Sequence, residues 1–226
     1  GESGSVPSSS WSVVLSLSQR PMTEDARRIQ QRASNPLLFQ PISFRSVTVR
    51  NRIMVSPMCQ YSAVNGDPED WHLVHLGARA QGGAGIVCTE ATAVVPEGRI
   101  TPGCTGLWND QQRDRWRRIT DFISAQGAVP AVQLAHAGRK ASCLPPWQGG
   151  KPVPMGQGNW TPQAPSALAY AEGWNTPQAL SVDEIRATLD AFAAAARRAK
   201  EAGFRLIELH GAHGYLAHSF LSPLSN

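Results

Sequence analysis

The fold follows from the stretch Phe204-Arg-Leu-Ile-Glu-Leu-His-Gly-Ala-His-Gly-Tyr215. Its first half, Phe204 to Leu209, is mostly apolar, follows a glycine and has the length of a buried strand. Its second half brings two histidines, two glycines and a tyrosine directly after that strand. Ionisable side chains at the carboxyl end of a buried strand are typical of α/β enzymes, which keep their active sites there. The stretch therefore predicts a parallel sheet with a functional site at its edge.

Three earlier segments repeat this form, an apolar run that ends in polar side chains. The predicted strands are Arg52–Met58, Gly85–Ala91 and Val129–His136. Each is followed by a helical pattern that ends at a glycine, a residue that favours helix C-termini. Before the first strand, Asn35–Asn51 predicts a short hairpin that caps the main fold.

The predicted helices have recognisable starts and apolar faces. Asp70 is expected to be the N-cap of the first helix. Asn109 is expected to cap the second, with Gln112 at the capping-box position, and Ser181 with Glu184 forms a capping box for the third. Their predicted apolar faces are, in chain order, Leu73, Leu76, Gly77 and Ala80; Trp116, Ile119 and Ile123; and Ile185, Leu189, Phe192 and Ala196.

Alternating strands and helices with nearly continuous apolar strands require a parallel sheet covered by helices. Two architectures satisfy this pattern, an open doubly wound sheet and a TIM-type barrel. The barrel is favoured because polar side chains follow every strand, whereas an open sheet concentrates its site at one switch point. The sequence also lacks the G-x-G-x-x-G and P-loop motifs of the open-sheet alternatives. The polar positions are Ser56 to Gln60, Glu90, Gln133 with His136, and His210 with His213.

Composition describes an ordinary globular protein and excludes several classes of function. The 226 residues are 42% hydrophobic and 17% charged. The net charge of +4 comes from arginines spread over the helices, so nucleic-acid and membrane partners are not expected. The four cysteines are far apart and form no C-x-x-C pair, which indicates reduced thiols in a cytoplasmic protein. Residues 1–34 predict a disordered tail, and residues 1–21 are expected to be upstream or added sequence before Met22.

The segment Ala137–Leu180 is rich in Pro, Gly and Trp and has no periodicity. A stretch this long without predicted structure inside a domain usually indicates a functional loop or lid. On its flank, Arg139 and Lys140 are interpreted as solvated charges. His72 and His75 are likewise interpreted as solvated positions on a helix, and His218 as structural.

His210 and His213, three residues apart, support two readings from the residues alone. They are half of a zinc site if His136 or Glu90 supplies a third ligand. Alternatively, their two N–H groups grip an oxygen that gains negative charge during a reaction. Taken alone, Cys59 is interpreted as a small hydrophobic residue in the core, and Tyr61 as an aromatic residue that packs at the rim of the site.

Several motifs together resemble one family over residues 37–226. They are Ser56-Pro-Met-Cys-Gln-Tyr61, Glu90-Ala-Thr92, Gln133-Leu-Ala-His-Ala-Gly-Arg-Lys140, His210-Gly-Ala-His-Gly-Tyr215 and Phe220-Leu-Ser-Pro-Leu-Ser-Asn226. In order and register they resemble the old yellow enzyme family, in its bacterial branch with a cysteine after the first strand. The resemblance implies an FMN-dependent ene-reductase on a (β/α)8 barrel, reduced by NADPH or NADH. Residues 35–226 would then supply the capping hairpin and about the first four βα units.

The resemblance also assigns roles to individual residues. Ser56, Pro57, Met58 and Cys59 would line the flavin, Ala91 would present its backbone to the ring, and Gln133 would bond the pyrimidine edge. His210 and His213 would grip the carbonyl or nitro oxygen of an activated alkene, Tyr215 would protonate the α-carbon, and Tyr61 would contact the substrate. No metal is implied.

These residue types suit the implied chemistry. Hydride addition to the β-carbon moves negative charge onto the activating oxygen, where imidazole N–H groups stabilise it most in the transition state. A phenol with a pKa of about 10 can donate a proton without being ionised at rest. The amide of Gln133 offers a donor and an acceptor, which matches the alternating edge of a flavin.

The family's flavin-phosphate site and an arginine that faces the flavin lie in the barrel half beyond Asn226. Both outer strands of a half barrel would expose backbone edges. The favoured interpretation is a fragment of a larger enzyme. The alternatives are two copies that close one barrel and a non-catalytic half-barrel scaffold. This polypeptide alone is expected to bind FMN weakly or not at all.

Overall fold

The computed structural model of the chain describes residues 23–25 and 36–226. Leu37–Asn226 forms one unit, which is described by itself. The predicted tail, residues 1–34, lies outside the described residues except for Thr23–Asp25, so it stays a prediction. In the described residues no helix has both the length and the apolar character needed to cross a bilayer.

The predicted hairpin is present and covers the starts of the main strands. Strands β1 (Ile42–Phe44) and β2 (Val47–Val49) pair antiparallel. Buried Val49 packs with Ile86 and Ala131 at the beginnings of two central strands. Arg50 then donates to the carbonyl oxygens of Ala80, Ala84 and Gln126, at the ends of two helices, at 2.8 to 3.2 Å. A cation is favourable at these helix C-termini, and it fixes the hairpin below the sheet.

The main sheet contains four parallel strands, β3 (Met54–Val55), β4 (Ile86–Ala93), β5 (Val129–Ala135) and β8 (Leu206–Leu209). Their spatial order, β3-β4-β5-β8, is also their order along the chain. A doubly wound sheet reverses its strand order, whereas a barrel adds each new strand on the same side. The topology therefore agrees with the barrel interpretation.

Four helices connect or follow these strands. They are α1 (Asp70–Gln81), α2 (Asp110–Ala125), α3 (Val182–Glu201) and α4 (Leu216–Leu221). The predicted stripe of α2 is confirmed, since Trp116, Ile119 and Ile123 are all buried in the core between helices and sheet. The indole of Trp116 also donates to the carbonyl oxygen of Gly106 at 3.1 Å, so its polar atom is satisfied.

Two predicted apolar surfaces are not buried as expected. In β8, Ile207 is 43% and Leu209 68% exposed, so the prediction of a buried strand is wrong here. In α3, the core side chains are Ala195 and Ala199, while Leu189 is 64% exposed. The reason is shared, because no element of the described chain packs over the outer edge of β8 and the adjoining face of α3.

Strand bounds also differ from the sequence prediction. The first strand is reduced to Met54–Val55, because Pro57 cannot donate to a ladder and β4 is its only partner in the described chain. Strand β4 extends two residues beyond Ala91 and contains one extra residue between Cys88 and Ala91 relative to β5. The hydroxyls of Thr89 and Thr92 both donate to the carbonyl oxygen of Glu90, which stabilises this bulge.

Helix caps follow the predictions at two of three starts. The Ser181–Glu184 capping box is present, and the Asn109 side chain accepts from the backbone of Gln112. The Gln112 side chain, however, accepts from Trp108 rather than completing a box. For α1 the N-cap is Glu69 and not Asp70, because the His72 ring accepts the Glu69 backbone N–H at 2.9 Å.

The segment Ala137–Leu180 is more ordered than its sequence suggests. It contains 3-10 turns at Gly138–Lys140 and Pro146–Gln148, and strands β6 (Gln163–Ala164) and β7 (Gln178–Ala179) pair parallel within it. Its start is tied to the loop after β8 by Lys140, whose Nζ donates to the carbonyl oxygen of His213. This segment is called the excursion.

Candidate active site

Loops that follow the four parallel strands meet at the carboxyl edge of the sheet. The loop after β3 reaches β4 through a hydrogen bond from the Gln60 backbone N–H to the Glu90 carboxylate at 3.1 Å. The loops after β5 and β8 meet where the Leu216 backbone N–H donates to the carbonyl oxygen of His136 at 3.0 Å. The polar residues predicted to follow separate strands are thus brought to one mouth.

The first loop presents the predicted flavin-lining residues as an open ledge. Ser56 and Met58 are exposed, whereas Pro57 and Cys59 are half-buried, so the side chains alternate as they would along a strand. The backbone N–H of Ala91 on β4 lies close enough to the Cys59 thiol to oppose, in part, the rise in its pKa. This contact places Ala91, another predicted cofactor residue, directly beside the ledge.

Cys59 has a thiol partner that the sequence did not indicate. Its side chain neighbours that of Cys104, and this neighbour, together with burial and the nearby Glu90 carboxylate, raises the pKa of Cys59. Cys104 accepts from the backbone N–H of Thr101 at 3.3 Å. Cys59 therefore faces the ledge as a neutral thiol at physiological pH. Cys104 lies in a loop without periodicity, so only the fold reveals the pair.

A buried pair supports the ledge from below. The His72 Nε2 lies 3.1 Å from the Glu90 carboxylate, and both side chains are at most 2% exposed. Because Nδ1 of His72 accepts from the backbone, Nε2 carries the hydrogen and donates it to Glu90. The interpretation of His72 as a solvated position is therefore wrong. Its spacing of four residues from buried Leu76 would have indicated the core face.

The two predicted catalytic histidines are in direct contact. The Ala212 N–H donates to Nδ1 of His210, so Nε2 of His210 carries a hydrogen and donates to Nδ1 of His213 at 3.2 Å. Burial, and then the neighbouring His213, lowers the pKa of His210. The Nε2–H of His213 makes no hydrogen bond within the described residues. In this arrangement His210 orients His213, and the Nε2–H of His213 remains available for a further hydrogen bond.

Tyr215 completes the group. Its ring lies 4.7 Å from that of His210 and 6.2 Å from that of His213, measured between centroids. Burial, followed by the thiols of Cys59, Cys104 and Cys143, raises the pKa of Tyr215. The phenol is therefore a neutral proton donor throughout the physiological range.

Tyr61 lies beside the ledge and packs against the excursion. Its ring centroid is 5.5 Å from that of Trp147 in an edge-to-face contact. Burial and the Cys59 thiol raise the pKa of Tyr61 as well. The chain has only three tyrosines. The third, Tyr170, lies on the excursion near Lys140 and Tyr215.

Two of the predicted site residues have strained backbone. Tyr61 has a φ of 51° and His213 a φ of 58°, a left-handed conformation that is unusual for side chains of this size. Such strain persists only where the surroundings hold it, and it is frequent at functional sites. Both residues belong to the set predicted from the sequence. The other non-glycine residues with positive φ among those described are Arg45, Asn65 and Ser142.

Gln133 lies in the carboxyl-terminal half of β5 with a partner that the sequence did not predict. Its Nε2 donates to the carboxylate of Glu208, the paired residue on β8, at 2.6 Å. Its amide oxygen makes no hydrogen bond within the described residues. Gln133 therefore keeps an acceptor available at the mouth, while Glu208 fixes the orientation of its amide.

The residues considered as third zinc ligands have other partners. Buried His136 accepts the Gly138 N–H on Nδ1, and its Nε2 lies 3.2 Å from the Gln163 side chain. Glu90 is held by His72 and Gln60. Within residues 23–25 and 36–226, no three His, Cys, Asp or Glu side chains come together in a geometry suited to a metal ion.

Residues 37–226 match the model of the NADH:flavin oxidoreductase / NADH oxidase family. The chain belongs to this family. Among its relatives, an NADH:flavin oxidoreductase of Gibberella zeae is 48% identical over 200 residues, which cover 87% of this chain and 48% of that protein. The NADPH dehydrogenase of Bacillus cytotoxicus is 45% identical over 194 residues, covering 85% of this chain and 52% of that protein. The predicted old yellow enzyme relationship is confirmed.

Solved structures of this flavin oxidoreductase family have the same fold. Morphinone reductase superposes with a TM-score of 0.72 at 30% identity, and the match covers 85% of this chain and 52% of that structure. Old Yellow Enzyme from Pichia sp. AKU4542 superposes with a TM-score of 0.72 at 27% identity, covering 84% and 50%. The chain thus spans about half the length of the relatives it matches. Its four parallel strands correspond to half of a TIM-type barrel, as predicted.

Proposed function

We propose that this chain supplies the catalytic half of an FMN-dependent ene-reductase. The reaction reduces the activated C=C bond of α,β-unsaturated carbonyl or nitro compounds with electrons from NADPH or NADH. The observation that supports it most is the contact of His210, His213 and Tyr215 with one another, because it combines an oxygen grip with a proton donor at one mouth.

The residues at the mouth fit FMN. The alternating ledge Ser56–Cys59 offers a surface for a planar ring, and the unbonded amide oxygen of Gln133 offers an acceptor for a ring N–H. The neutral thiol of Cys59 adds no charge beside such a ring. When bound, FMN supplies the hydride transfer from the nicotinamide to the alkene.

His213 is assigned to the activating oxygen of the substrate. Its Nε2–H can donate to a carbonyl or nitro oxygen, and negative charge collects on that oxygen as hydride reaches the β-carbon. His210 contributes through His213, because its own N–H donates to Nδ1 of that ring. This chain of hydrogen bonds polarises the terminal N–H, which strengthens its interaction with the transition state.

Tyr215 is assigned to the α-carbon. Burial keeps its phenol protonated, so it can deliver the proton that balances the hydride added at the β-carbon. The sum is the addition of two hydrogens across the C=C bond, and solvent then reprotonates the phenol. Tyr61, strained and packed on Trp147, is assigned to contact with the bound substrate.

The first prediction concerns Tyr215. In the chain joined to the carboxyl-terminal half that its relatives have, Tyr215→Phe should slow cyclohexenone reduction by about a hundredfold or more, because general acid catalysis is lost. Reduction by NADPH should continue at the wild-type rate, since it needs no proton from Tyr215. Anaerobic stopped-flow absorbance of the flavin measures both half-reactions.

Tyr170→Phe is the matched control, because it removes the same hydroxyl from a ring outside the proposed proton path. It should leave both rates close to those of the wild type. Equal rates for Tyr215→Phe and the wild type would contradict the assignment. A joined protein that binds no flavin or fails to oxidise NADPH would contradict the proposed function itself.

The second candidate function is a half-barrel that serves as a scaffold without catalysis. Its support is the large apolar surface left open by α3, α4 and the following residues, where Leu189 is 64%, Leu221 80% and Leu224 83% exposed. Such a surface is typical of an interface. The anaerobic stopped-flow experiment above distinguishes the two candidates, because a scaffold shows no flavin reduction in the joined protein.

A further inference from the structure

We propose that Lys140 is a positioning residue that holds His213 and Tyr215 in their reactive arrangement and joins them to the excursion. The inference rests on the proposed function for its catalytic consequence and on contacts within the chain for its geometry. The sequence interpretation treated Lys140 as a solvated charge. In the structure it is only half-buried, but its ammonium group is directed into the site.

The ammonium group of Lys140 bonds the backbone of a proposed catalytic residue. Its Nζ donates to the carbonyl oxygen of His213 at 2.7 Å, across 73 residues of sequence. This is a charge-assisted hydrogen bond, a class about twice as strong as its neutral counterpart. The bond acts on the position of His213 without engaging the imidazole, whose Nε2–H remains available.

The bonded carbonyl belongs to a strained turn. His213 has a φ of 58° and Gly214 a φ of 72°, so two successive residues are left-handed. This conformation is unfavourable for a residue with a side chain and needs external support. A Cβ on Gly214 would lie 3.5 Å from Cε of Lys140 and 3.6 Å from its Nζ, so the lysine side chain lies over this turn. His218 and Ser219 bond the backbone of Gly214, and Lys140 is the side chain that bonds the backbone of His213 itself.

The backbone that carries Lys140 is fixed by close packing against α4. Lys140 ends the 3-10 turn Gly138–Lys140, which packs tightly on the start of α4. A Cβ added to Gly138 would come within 2.9 Å of the backbone nitrogen of Leu216, so only glycine permits this approach. The distance between the β5 loop and the β8 loop is therefore set by backbone contact. Because Lys140 is attached to the β5 loop, its bond to His213 holds that residue at a fixed position relative to this loop.

The same ammonium group lies between two aromatic rings. Its Nζ is 4.3 Å from the ring centroid of Tyr170 on the excursion and 5.9 Å from that of Tyr215. Both distances are within the range of cation–π attraction. Lys140 thus connects the excursion, the strained turn and the proposed proton donor through one charge.

That charge also favours the anion left after proton transfer. The groups that face Tyr215 are the thiols of Cys59, Cys104 and Cys143, the rings of His210 and His213, and Lys140. The thiols and the buried His210 add no positive charge, whereas Lys140 adds a permanent one. A nearby cation stabilises a phenolate, so Lys140 lowers the barrier to proton donation as well as fixing its geometry.

The test compares three steps in the joined protein. Lys140→Met should slow reoxidation by cyclohexenone by about tenfold to a hundredfold, the range expected for small misplacements of catalytic groups. Reduction by NADPH and reoxidation by ferricyanide, a one-electron acceptor that needs neither His213 nor Tyr215, should remain at wild-type rates. Lys140→Arg keeps the charge and a donor, and it should recover most of the loss.

A readout independent of activity follows the turn itself. In protein labelled at histidine Cε1, Lys140→Met should shift or broaden the NMR signals of His213 and His210 and leave that of His75 on α1 unchanged. The matched control is Lys151→Met, which removes an exposed lysine from the same excursion and should alter neither the rates nor the spectra. If Lys140→Met does not fold, Lys140→Gln, which keeps an N–H donor, undergoes the same measurements.

The results separate the possible roles. If all three steps slow equally, or if only the thermal midpoint falls, Lys140 is a structural residue and the proposal is overturned. Unchanged rates and unchanged histidine signals overturn it as well. If the wild type oxidises NADPH but does not reduce the enone, the proposed function fails, and the NMR comparison still decides whether Lys140 positions the turn.

Discussion

His136 illustrates how burial of one side chain makes stability depend on pH. It is 1% exposed and bonded to Gly138 and Gln163. Burial lowers the pKa of His136 from 6.5 to about 4, and the hydrogen bond with Gln163 opposes this shift only in part. The ring is therefore neutral in the folded chain at every pH at which the fold is expected to function.

The second prediction follows from linkage. Between about pH 6.5 and about pH 4 the unfolded chain binds a proton at His136 and the folded chain does not, so the free energy of unfolding falls as pH is lowered. The contribution is fully present above the unfolded pKa and amounts to about 3 kcal/mol. His136→Asn, which keeps an acceptor for Gly138, should flatten this part of the pH dependence, as measured by urea unfolding.

A matched variant tests whether the effect belongs to His136. His218 is exposed and likewise accepts a backbone N–H, from Gly214. His218→Asn should leave the slope of stability against pH close to that of the wild type. If His136→Asn retains the full slope, another group causes the acid sensitivity.

At the residue scale, the sequence predicts the roles of residues that lie near the carboxyl end of a strand. Ser56–Cys59, Gln133 and His210 belong to this class, and all of them lie at the mouth. The sequence does not predict roles that depend on a distant neighbour. Cys104 and Lys140 acquire theirs from Cys59 and His213, which lie far away in the chain, so no local pattern indicates them.

At the element scale, the buried His72–Glu90 pair connects α1, β4 and the ledge. Glu90 accepts from His72 and from the backbone of Gln60, the residue after Cys59. A carboxylate buried to this degree is tolerated only with such partners. The position of the ledge therefore depends on a side chain of a neighbouring helix.

The third prediction measures this dependence. His72→Leu should lower the free energy of unfolding by about 3 to 5 kcal/mol, because it leaves the Glu90 carboxylate buried without its partner. Arg118→Leu is the control, since it breaks an exposed ion pair between Arg118 of α2 and Asp70 of α1, the helix that carries His72. This substitution should cost less than about 1 kcal/mol. Denaturant unfolding of both variants provides the comparison, and equal losses would contradict the importance of burial.

Elements were predictable to the extent that their signals are local. Helices α1, α2 and α3 and two of their three caps follow from periodicity and from the residues at their first turns, whereas the short helix α4 was not predicted. Strand ends were less accurate, because the lengths of β3 and β8 depend on pairing partners. The β6–β7 pair within the excursion was missed for the same reason, since its two short strands lie 15 residues apart as counted from Gln163 to Gln178 and carry no alternation.

At the scale of the whole molecule, the open apolar surface determines behaviour in solution. Leu180, Ile185, Leu189, Phe192 and Phe220 are among the residues that line a groove of about 250 Å³ between α3 and α4. The exposed side chains of β8 continue this surface. No element of the described residues covers this surface.

The fourth prediction is that the chain by itself associates through this surface. Sedimentation velocity should show species larger than a monomer at micromolar concentration, and the double variant Leu189→Lys with Leu221→Lys should be largely monomeric. Leu168→Lys places the same charge at a position of the excursion that is 51% exposed, and it should not change association. A monomeric wild type with native-like circular dichroism would contradict both this prediction and the two-copy barrel.

The extra residue of β4 between Cys88 and Ala91 has a consequence for comparing sequences. Side chains of a strand alternate between its faces, so one residue more or fewer exchanges the two faces beyond that point. In an alignment, a gap placed here is therefore not a neutral length difference, because it reassigns Glu90 from one side of the strand to the other. In homologues that differ in length at this position, a residue other than the one aligned with Glu90 is expected to anchor the loop after β3, even where the other motifs are similar.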